Sequence, residues 1–206
     1  MADVRALLFD FGNVIGFFDH RRGAANVAAL LGADPAQVYS YFFETDLEDR
    51  YDRGLIESAE LLAMLRAEFG MADAPEAELA AAFGSIFRRN EPVIDVIMRV
   101  PRSVRLLLGS NTNDLHYRTF SAMFADVFAR FDAMVLSYMA KCRKPDARFF
   151  EVCVAAAGCT PNEVLFFDDK AENVESARVL GIRGVVYTPE VDVAAVLRAS
   201  GIPIEA

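Results

Sequence analysis

The chain contains four apolar runs of strand length, and each run stops abruptly at a polar residue. Runs without polar alternation are typical of strands that are buried on both faces of a parallel sheet. The runs are ALLFD, VRLLLGSN, AMVLS and VLFFDD, which stop at Asp10, Ser110, Ser137 and Asp168. A fifth strand, GVVYT, is predicted from Gly184.

Helical segments separate these strands. The pattern predicts helices over 113–129, 145–157 and 171–180, the last closed by Gly181 as its C-cap, and a final helix from about 190 to 200. This alternation predicts an α/β fold in which a Rossmann-like parallel sheet is covered by helices. In open parallel sheets, ligands bind beyond the carboxyl ends of the strands. We therefore expect Asp10, Ser110, Lys144 and Asp168 to meet at one edge of the sheet.

The stretch between the first and second strands is much longer than an ordinary connection. It has amphipathic helical patterning over 21–31, 35–44, 58–69 and 76–88. Asp34 before Pro35 and Ser58 are predicted helix starts, and Gly32 and Gly70 are predicted helix ends. The sequence therefore predicts a helical cap domain over 16–92, inserted into a core domain that consists of 1–15 and 93–206.

Composition narrows the possible partners. The 206 residues carry a formal net charge of −9, which argues against nucleic acid or an anionic membrane as the main partner. Cys142, Cys153 and Cys159 lack CxxC spacing and only two histidines are present, so a structural zinc site is not expected. The start MADVRALLFD lacks the pattern of a signal peptide, and no run is long enough to span a bilayer. We expect a cytoplasmic protein with a small-molecule ligand.

Four short motifs, in order, are similar to those of the haloacid dehalogenase superfamily of hydrolases. They are FDFGNV, SNT, RKPD and FFDD, and the resemblance covers essentially the whole chain. Any one of these strings alone would be weak evidence for the family. Together they are strong evidence, because all four occur in the right order and each lies at or just after a predicted strand end. The resemblance implies a haloacid dehalogenase-like core and a magnesium-dependent phosphatase that acts on a small phosphate ester.

The resemblance also implies roles for the acidic residues. Asp10 matches the nucleophile, which attacks phosphorus and forms an aspartyl-phosphate. Asp169 matches a direct ligand of Mg²⁺, and Asp168 a ligand through water or a support for its neighbours. Asp10 and the carbonyl of Gly12 would complete the protein's ligands. From position alone, Asp10 is equally well interpreted as a turn cap. A solvated helix start is a less favoured alternative for the acidic pair.

Polar residues in the other motifs match the phosphate-binding and charge-neutralising positions. Ser110 and Asn111 would hold the phosphoryl oxygens, together with amides near Gly12 and Asn13. Lys144 would neutralise charge shared by the nucleophile and the transferring group. Ser110 can also act as an ordinary helix cap. Asn173 matches a position that often supports the acidic loop, although an exposed Asn fits the pattern almost as well.

The first motif departs from the usual phosphatase pattern. Most phosphatases of this superfamily have a second aspartate two positions after the nucleophile, which protonates the leaving group, and here that position is Gly12. FDFGNVI is similar to a DxGNV branch that includes a bacterial glucose-1-phosphate phosphatase, which favours a sugar phosphate as substrate. We expect Asp19 to act as a substitute acid or to orient the proton-donating water, and His20 and His116 to be surface or helix-cap residues.

Two other functions remain open from the sequence. One is a 2-haloacid dehalogenase, which would use Asp10 against carbon without a metal, although Asp168 and Asp169 argue against it. The other is a phosphometabolite-binding protein that lost turnover with its general acid, a hypothesis supported only by Gly12. The sequence does not determine the oligomeric state.

Overall fold

The computed structural model describes residues 3–70 and 74–204, and its centre is a five-stranded parallel sheet. Its strands are β1 (Ala6–Phe9), β4 (Arg105–Ser110), β5 (Ala133–Leu136), β6 (Val164–Asp168) and β7 (Arg183–Val186). Their order across the sheet is β5-β4-β1-β6-β7. Two short strands, β2 (Gly16–Phe18) and β3 (Phe87–Arg89), form a separate antiparallel pair. The predicted α/β fold with a parallel sheet is confirmed.

Twelve helices connect the strands of the described residues. They are α1 (His20–Leu31), α2 (Pro35–Phe43), α3 (Leu47–Asp52), α4 (Ser58–Phe69), α5 (Glu76–Gly84), α6 (Glu91–Met98), α7 (Asp114–Met123), α8 (Ala125–Phe128), α9 (Ser137–Ala140), α10 (Ala147–Ala157), α11 (Ala171–Val179) and α12 (Val193–Ala199). Within residues 3–70 and 74–204, none of them is long and apolar enough to cross a membrane.

Helices cover both faces of the sheet, which explains why its strands read as continuous apolar runs. Leu7 and Phe9 of β1 pack into one hydrophobic cluster with α6, α7 and α12. Ala6 and Leu8 point to the opposite face, where they pack into a second cluster with α10 and α11. Alternation along each strand therefore divides the core into two layers.

Helices α1 to α5 form a third hydrophobic cluster, which Leu115 of α7 joins, centred on buried residues such as Phe42, Tyr51 and Leu61. They lie in sequence between β2 and β3, so the chain enters and leaves this helical insertion along two paired strands. Helix α3, which the sequence pattern did not predict, belongs to this insertion. The predicted helix over 76–88 ends at Gly84, and its last residues form β3 instead.

Several predicted helix boundaries differ from the observed ones. The helix predicted over 113–129 is divided into α7 and α8 at Phe124. Leu180 rather than Gly181 is the C-cap of α11, and Gly181 follows it with a φ of 88°. Ser58 begins α4, but its hydroxyl contacts Tyr51 and Asp114 rather than capping the helix.

Candidate active site

The polar residues that end the strands lie together because parallel strands place their carboxyl ends at one edge. Phe9 pairs with Leu108 of β4 and with Phe167 of β6, so the residues after it emerge side by side. The backbone N–H of Asp10 donates to the carbonyl of Phe167 at 2.9 Å. Asp10, Ser110 and Asp168 are therefore held by the sheet itself.

Three carboxylates of this edge form a compact acidic cluster. Asp10, Asp168 and Asp169 each offer an oxygen, and these oxygens lie within 4.8 Å of one another. Like charges at this separation are costly unless a cation lies among them. Carboxylate oxygens are the ligands that Mg²⁺ prefers. The donor set therefore fits a magnesium ion, with Gly12 among the residues that line the adjoining cavity.

Lys144 is the internal cation of this cluster. It is 3% exposed, and its Nζ lies 2.7 Å from Asp10 Oδ1 and 2.6 Å from Asp168 Oδ2. Burial alone would lower the pKa of Lys144, but Asp10 and Asp168 outweigh burial and raise it. The side chain therefore stays charged, in the central position that the sequence predicted for it.

Asn111 fixes the backbone that carries Lys144. The Asn111 side-chain amide donates to the carbonyl of Lys144 at 2.9 Å, and its oxygen accepts from the Lys144 N–H at 2.8 Å. Two reciprocal bonds hold the segment more firmly than either alone. Asn111 also lines the cavity, beside the buried Ser110. Its side chain thus positions Lys144, a role that the sequence pattern did not predict.

The nucleophile candidate Asp10 is oriented by two donors on one oxygen. Asp10 Oδ1 accepts from the N–H of Phe11 at 2.7 Å, in addition to the ion pair with Lys144. Burial raises the pKa of Asp10 to about 7, and Asp168 and Asp169 add to the rise while Lys144 opposes it. A bound divalent cation would favour the ionised carboxylate.

Asp168 and Asp169 have different surroundings. Asp168 is fully buried and accepts from the Asn173 side chain at 2.9 Å and from the Lys170 N–H at 2.8 Å. Asn173 is itself buried, which supports the interpretation that it holds the acidic loop. Asp169 is half-buried and accepts from the Asn13 side chain at 2.9 Å.

Asn13 differs from its predicted role. Its φ is 56°, a left-handed conformation that Asn tolerates, and its backbone N–H donates to the carbonyl of Gly16 at 2.8 Å. The amide that we expected to bind phosphate is therefore engaged within the turn. Asn13 instead contacts the acidic cluster through its side chain.

A cavity opens above this edge of the sheet. Its floor consists of motif residues, including Asp10, Gly12, Ser110, Asn111, Lys144 and Asp169. Its other side is formed by the helical insertion, through Phe18, His20, Glu48 and Asp52. Arg143 and Asn113 add polar groups to the wall, and Phe87 and Phe120 add apolar ones. The cavity therefore lies between the edge of the sheet and the helical insertion.

Both histidines line this cavity, and the prediction of surface or cap roles was wrong for them. His116 is buried and stacks on Phe83 at 4.6 Å between ring centroids, and His20 stacks on Phe43 at 4.3 Å. Burial lowers the pKa of His116 to about 3 and that of His20 to about 4. Both rings are therefore neutral near pH 7. Their aromatic partners come from the insertion, which sequence spacing does not reveal.

Asp19 does not occupy the position of a substitute acid. It is exposed, and its carboxylate caps α1 by accepting from the Arg22 N–H at 3.2 Å. The residues of this segment that line the cavity are Phe18 and His20. Helix capping explains the acidic residue at this position.

Asp52, Glu48 and Arg143 are cavity residues that sequence reasoning missed. Asp52 Oδ1 accepts from the Asn113 side chain at 3.0 Å, and its Oδ2 lies 3.6 Å from Arg143 Nη2. Burial raises the pKa of Asp52 to about 7, and Glu48 adds to the rise while Arg143 and Asn113 oppose it. The six-residue helix LEDRYD that carries both acids is too short to show helical periodicity.

Comparison with known proteins gives one matching family and several relatives. A family described as haloacid dehalogenase-like hydrolase matches residues 4–181. D-ribitol-5-phosphate phosphatase from Bacteroides thetaiotaomicron is 24% identical over 91% of this chain and 92% of its own length.

Solved structures share the fold. A haloacid dehalogenase family enzyme from Bacteroides thetaiotaomicron, in complex with magnesium and inorganic phosphate, has a TM-score of 0.81 and 25% identity, covering 95% of this chain and 100% of that one. L-2-haloacid dehalogenase from Xanthobacter autotrophicus has a TM-score of 0.64 and 18% identity, covering 95% and 81%. The fold is therefore common to phosphate-binding and dehalogenating enzymes, and the site residues must distinguish them.

Proposed function

The chain belongs to the haloacid dehalogenase-like hydrolase family, and we propose that it is a magnesium-dependent phosphatase that hydrolyses a small phosphate ester through an aspartyl-phosphate at Asp10. The observation that carries this proposal is the cluster of Asp10, Asp168 and Asp169 at the edge of the sheet, with Lys144 paired to Asp10 and Asp168. Mg²⁺ held by Asp10, Asp169 and the Gly12 carbonyl, with Asp168 supporting it, would neutralise negative charge on the phosphoryl group.

The first step is attack by an Asp10 carboxylate oxygen on phosphorus. Phe11 N–H and Lys144 hold the other carboxylate oxygen, so the attacking group is already oriented. Ser110 and the backbone amide of Asn111 hold the phosphoryl oxygens, and Lys144 stabilises the charge that the transfer brings together. The ester oxygen leaves as an alcohol once it receives a proton.

The second step regenerates Asp10. A water molecule attacks the phosphoryl group on Asp10, the bond between the carboxylate and phosphorus breaks, and inorganic phosphate leaves. Dividing one difficult displacement into two easier ones is the advantage of a covalent nucleophile. Residues 16–92 act as the cap domain, which limits the entry of water during the first step.

The substrate that this cavity favours is a polyhydroxylated phosphate ester such as a sugar or alditol phosphate. Glu48, Asp52, Asn113 and Arg143 give the wall above the phosphate site many hydrogen-bonding groups. Such groups suit hydroxyls better than hydrocarbon. The alditol phosphate named for the Bacteroides thetaiotaomicron phosphatase and the DxGNV motif point to the same class.

The dehalogenase alternative has less support from the site. Its substrate carries a carboxylate, and the reaction needs no metal, whereas here three carboxylates lie together and Lys144 pairs with two of them, Asp10 and Asp168. Without a cation this cluster repels an anionic substrate. The acidic pair therefore favours phosphate chemistry with magnesium.

The test is phosphate release from a panel of sugar, alditol and small alkyl phosphates, with Mg²⁺ and with chelator. Asp10→Asn should abolish release, and Asp95→Asn, on the exposed face of α6, is the matched control. Chelator should also abolish release, and Mg²⁺ should restore it. Hydrolysis that survives Asp10→Asn refutes the covalent mechanism. Tight binding of the esters without hydrolysis by the wild type would instead support a phosphometabolite-binding protein.

A further inference from the structure

A side chain at position 12 would meet the Phe18 ring. A Cβ added to Gly12 would lie 2.8 Å from Phe18 Cε1, well inside normal contact distance. The Phe18 ring therefore occupies the space into which an aspartate at this position would extend. If the proposed phosphatase reaction takes place, the leaving group must receive its proton from another part of the cavity.

The described residues that line the cavity leave few proton donors. His20 and His116 are neutral near pH 7 and hold no proton that titrates there. Lys144 is committed to its two carboxylates. Glu48 and Asp52 of α3 are the lining carboxyls outside the acidic cluster, and Asp52 is the more deeply buried of the two, at 5% exposure.

Asp52 is linked directly to the phosphate-binding segment. Asn113, the N-cap of α7 three residues after Ser110, donates its side-chain N–H to Asp52 at 3.0 Å. The Asn113 oxygen accepts from the His116 N–H at 3.0 Å, which fixes the orientation of the amide. The cap carboxyl is therefore held at a defined place against the edge where the substrate's phosphate would lie.

We propose that Asp52 is the proton donor of the reaction, in place of the carboxyl that Gly12 lacks. This inference rests on the proposed function. As the bond between phosphorus and the ester oxygen breaks, its electron pair goes to that oxygen, which takes the proton of the Asp52 carboxyl and leaves as an alcohol. The Asp52 carboxylate then accepts a proton from the water that attacks the phosphoryl group on Asp10. One ester and one water give one alcohol and one phosphate, and Asp52 ends protonated.

The surroundings of Asp52 suit this exchange. Burial raises its pKa to about 7, with Glu48 and Asp49 of the same helix adding to the rise and Arg143 and Asn113 opposing it. His116, on the far side of Asn113, is neutral. A carboxyl that titrates near the working pH is able both to give and to take a proton.

The experiment compares Asp52→Asn with wild type on two esters of different leaving-group strength. One is the sugar or alditol phosphate that the wild type cleaves best, and the other is p-nitrophenyl phosphate, whose phenolate leaves without a proton. We expect kcat/KM for the sugar or alditol ester, which reports the steps up to departure of the alcohol, to fall by about 10²- to 10³-fold. For the nitrophenyl ester it should change only a few-fold. Asp46→Asn, at the exposed start of α3, is the matched control.

The pH profile gives a second readout. Since the acid must be protonated, wild-type kcat/KM for the sugar or alditol ester should fall as pH rises through about 7, and Asp52→Asn should lose this decline. Asp52→Glu, which keeps a carboxyl, should recover part of the activity and serves if the Asn variant does not fold. Equal losses of kcat/KM on both esters, or no loss on either, overturn the inference while leaving the phosphatase intact. Failure of the wild type on both esters refutes the proposed function itself and the inference with it.

Discussion

Lys144 Nζ lies 2.7 Å from Asp10 Oδ1, and both side chains are buried. The two residues are far apart in sequence, and the sheet edge brings them together. Buried charges are tolerated only when they are paired. The contact therefore serves stability and catalysis together, because the same ammonium group that neutralises Asp10 would stabilise the transferring phosphoryl group.

Lys144→Met should damage both properties. Loss of the ammonium group leaves Asp10 and Asp168 without their cation, so the free energy of unfolding should fall by about 3–5 kcal/mol without Mg²⁺. Added Mg²⁺ should restore part of the stability, and kcat should remain at least about a hundredfold below wild type. Urea unfolding and phosphate release measure these effects. Arg148→Met, at an exposed cation near the start of α10, is the control, and a Lys144 variant with wild-type turnover would contradict this role.

His116 should make stability sensitive to acid. Burial lowers its folded-state pKa to about 3, below the ordinary 6.5, so only the unfolded state binds its proton as pH falls between these values. Protonation of His116 therefore has no effect on the free energy of unfolding above pH 6.5. Below pH 6.5 it lowers the free energy of unfolding progressively, by about 2 kcal/mol at pH 5. Other groups titrate in the same range.

The comparison with His116→Phe isolates this effect. The variant keeps an aromatic ring against Phe83 but has no titrating nitrogen. Urea unfolding at pH 7 and pH 5 should therefore show that wild type loses about 2 kcal/mol more than the variant on acidification. Parallel losses in the two proteins would mean that His116 takes up its proton in the folded state.

Gly12 and Phe18 should be energetically coupled. Gly12→Asp alone should lower the free energy of unfolding by about 1–3 kcal/mol, because the new Cβ meets the Phe18 ring at 2.8 Å. In a Phe18→Ala background, where the ring is absent, the same substitution should cost clearly less. A double-mutant cycle by urea unfolding measures the coupling. Additive effects would show that Phe18 does not exclude a side chain from position 12.

The parts of the site that the sequence predicted depend on strand ends. Asp10, Ser110 and Asp168 end apolar runs, and a parallel sheet brings such ends together whatever the detailed packing. The placement of Lys144 followed from the motif resemblance and agrees with the structure. The sequence could not reveal Asp52 in this way, because α3 is short and polar and resembles a solvated turn. Its burial depends on Asn113 and Arg143, which are distant in sequence.

The predicted surface or helix-cap roles of the two histidines were wrong for a related reason. His116 lies on a helix whose sequence pattern is compatible with exposure, and its burial comes from Phe83 of the insertion. Contacts between the insertion and the core depend on how the two pack against each other, and no local periodicity records this. The same holds for Phe18, whose position against Gly12 decides where a catalytic acid can be placed.

The most direct test of the central claim is to trap the covalent intermediate. Wild-type protein is mixed with its best substrate and Mg²⁺, quenched in acid within the first turnover, digested and examined by mass spectrometry. We expect one phosphoryl group on the peptide that contains Asp10, absent with chelator and absent from Asp10→Asn. Turnover without any phosphorylated peptide, or a phosphoryl group on a different residue, would contradict it.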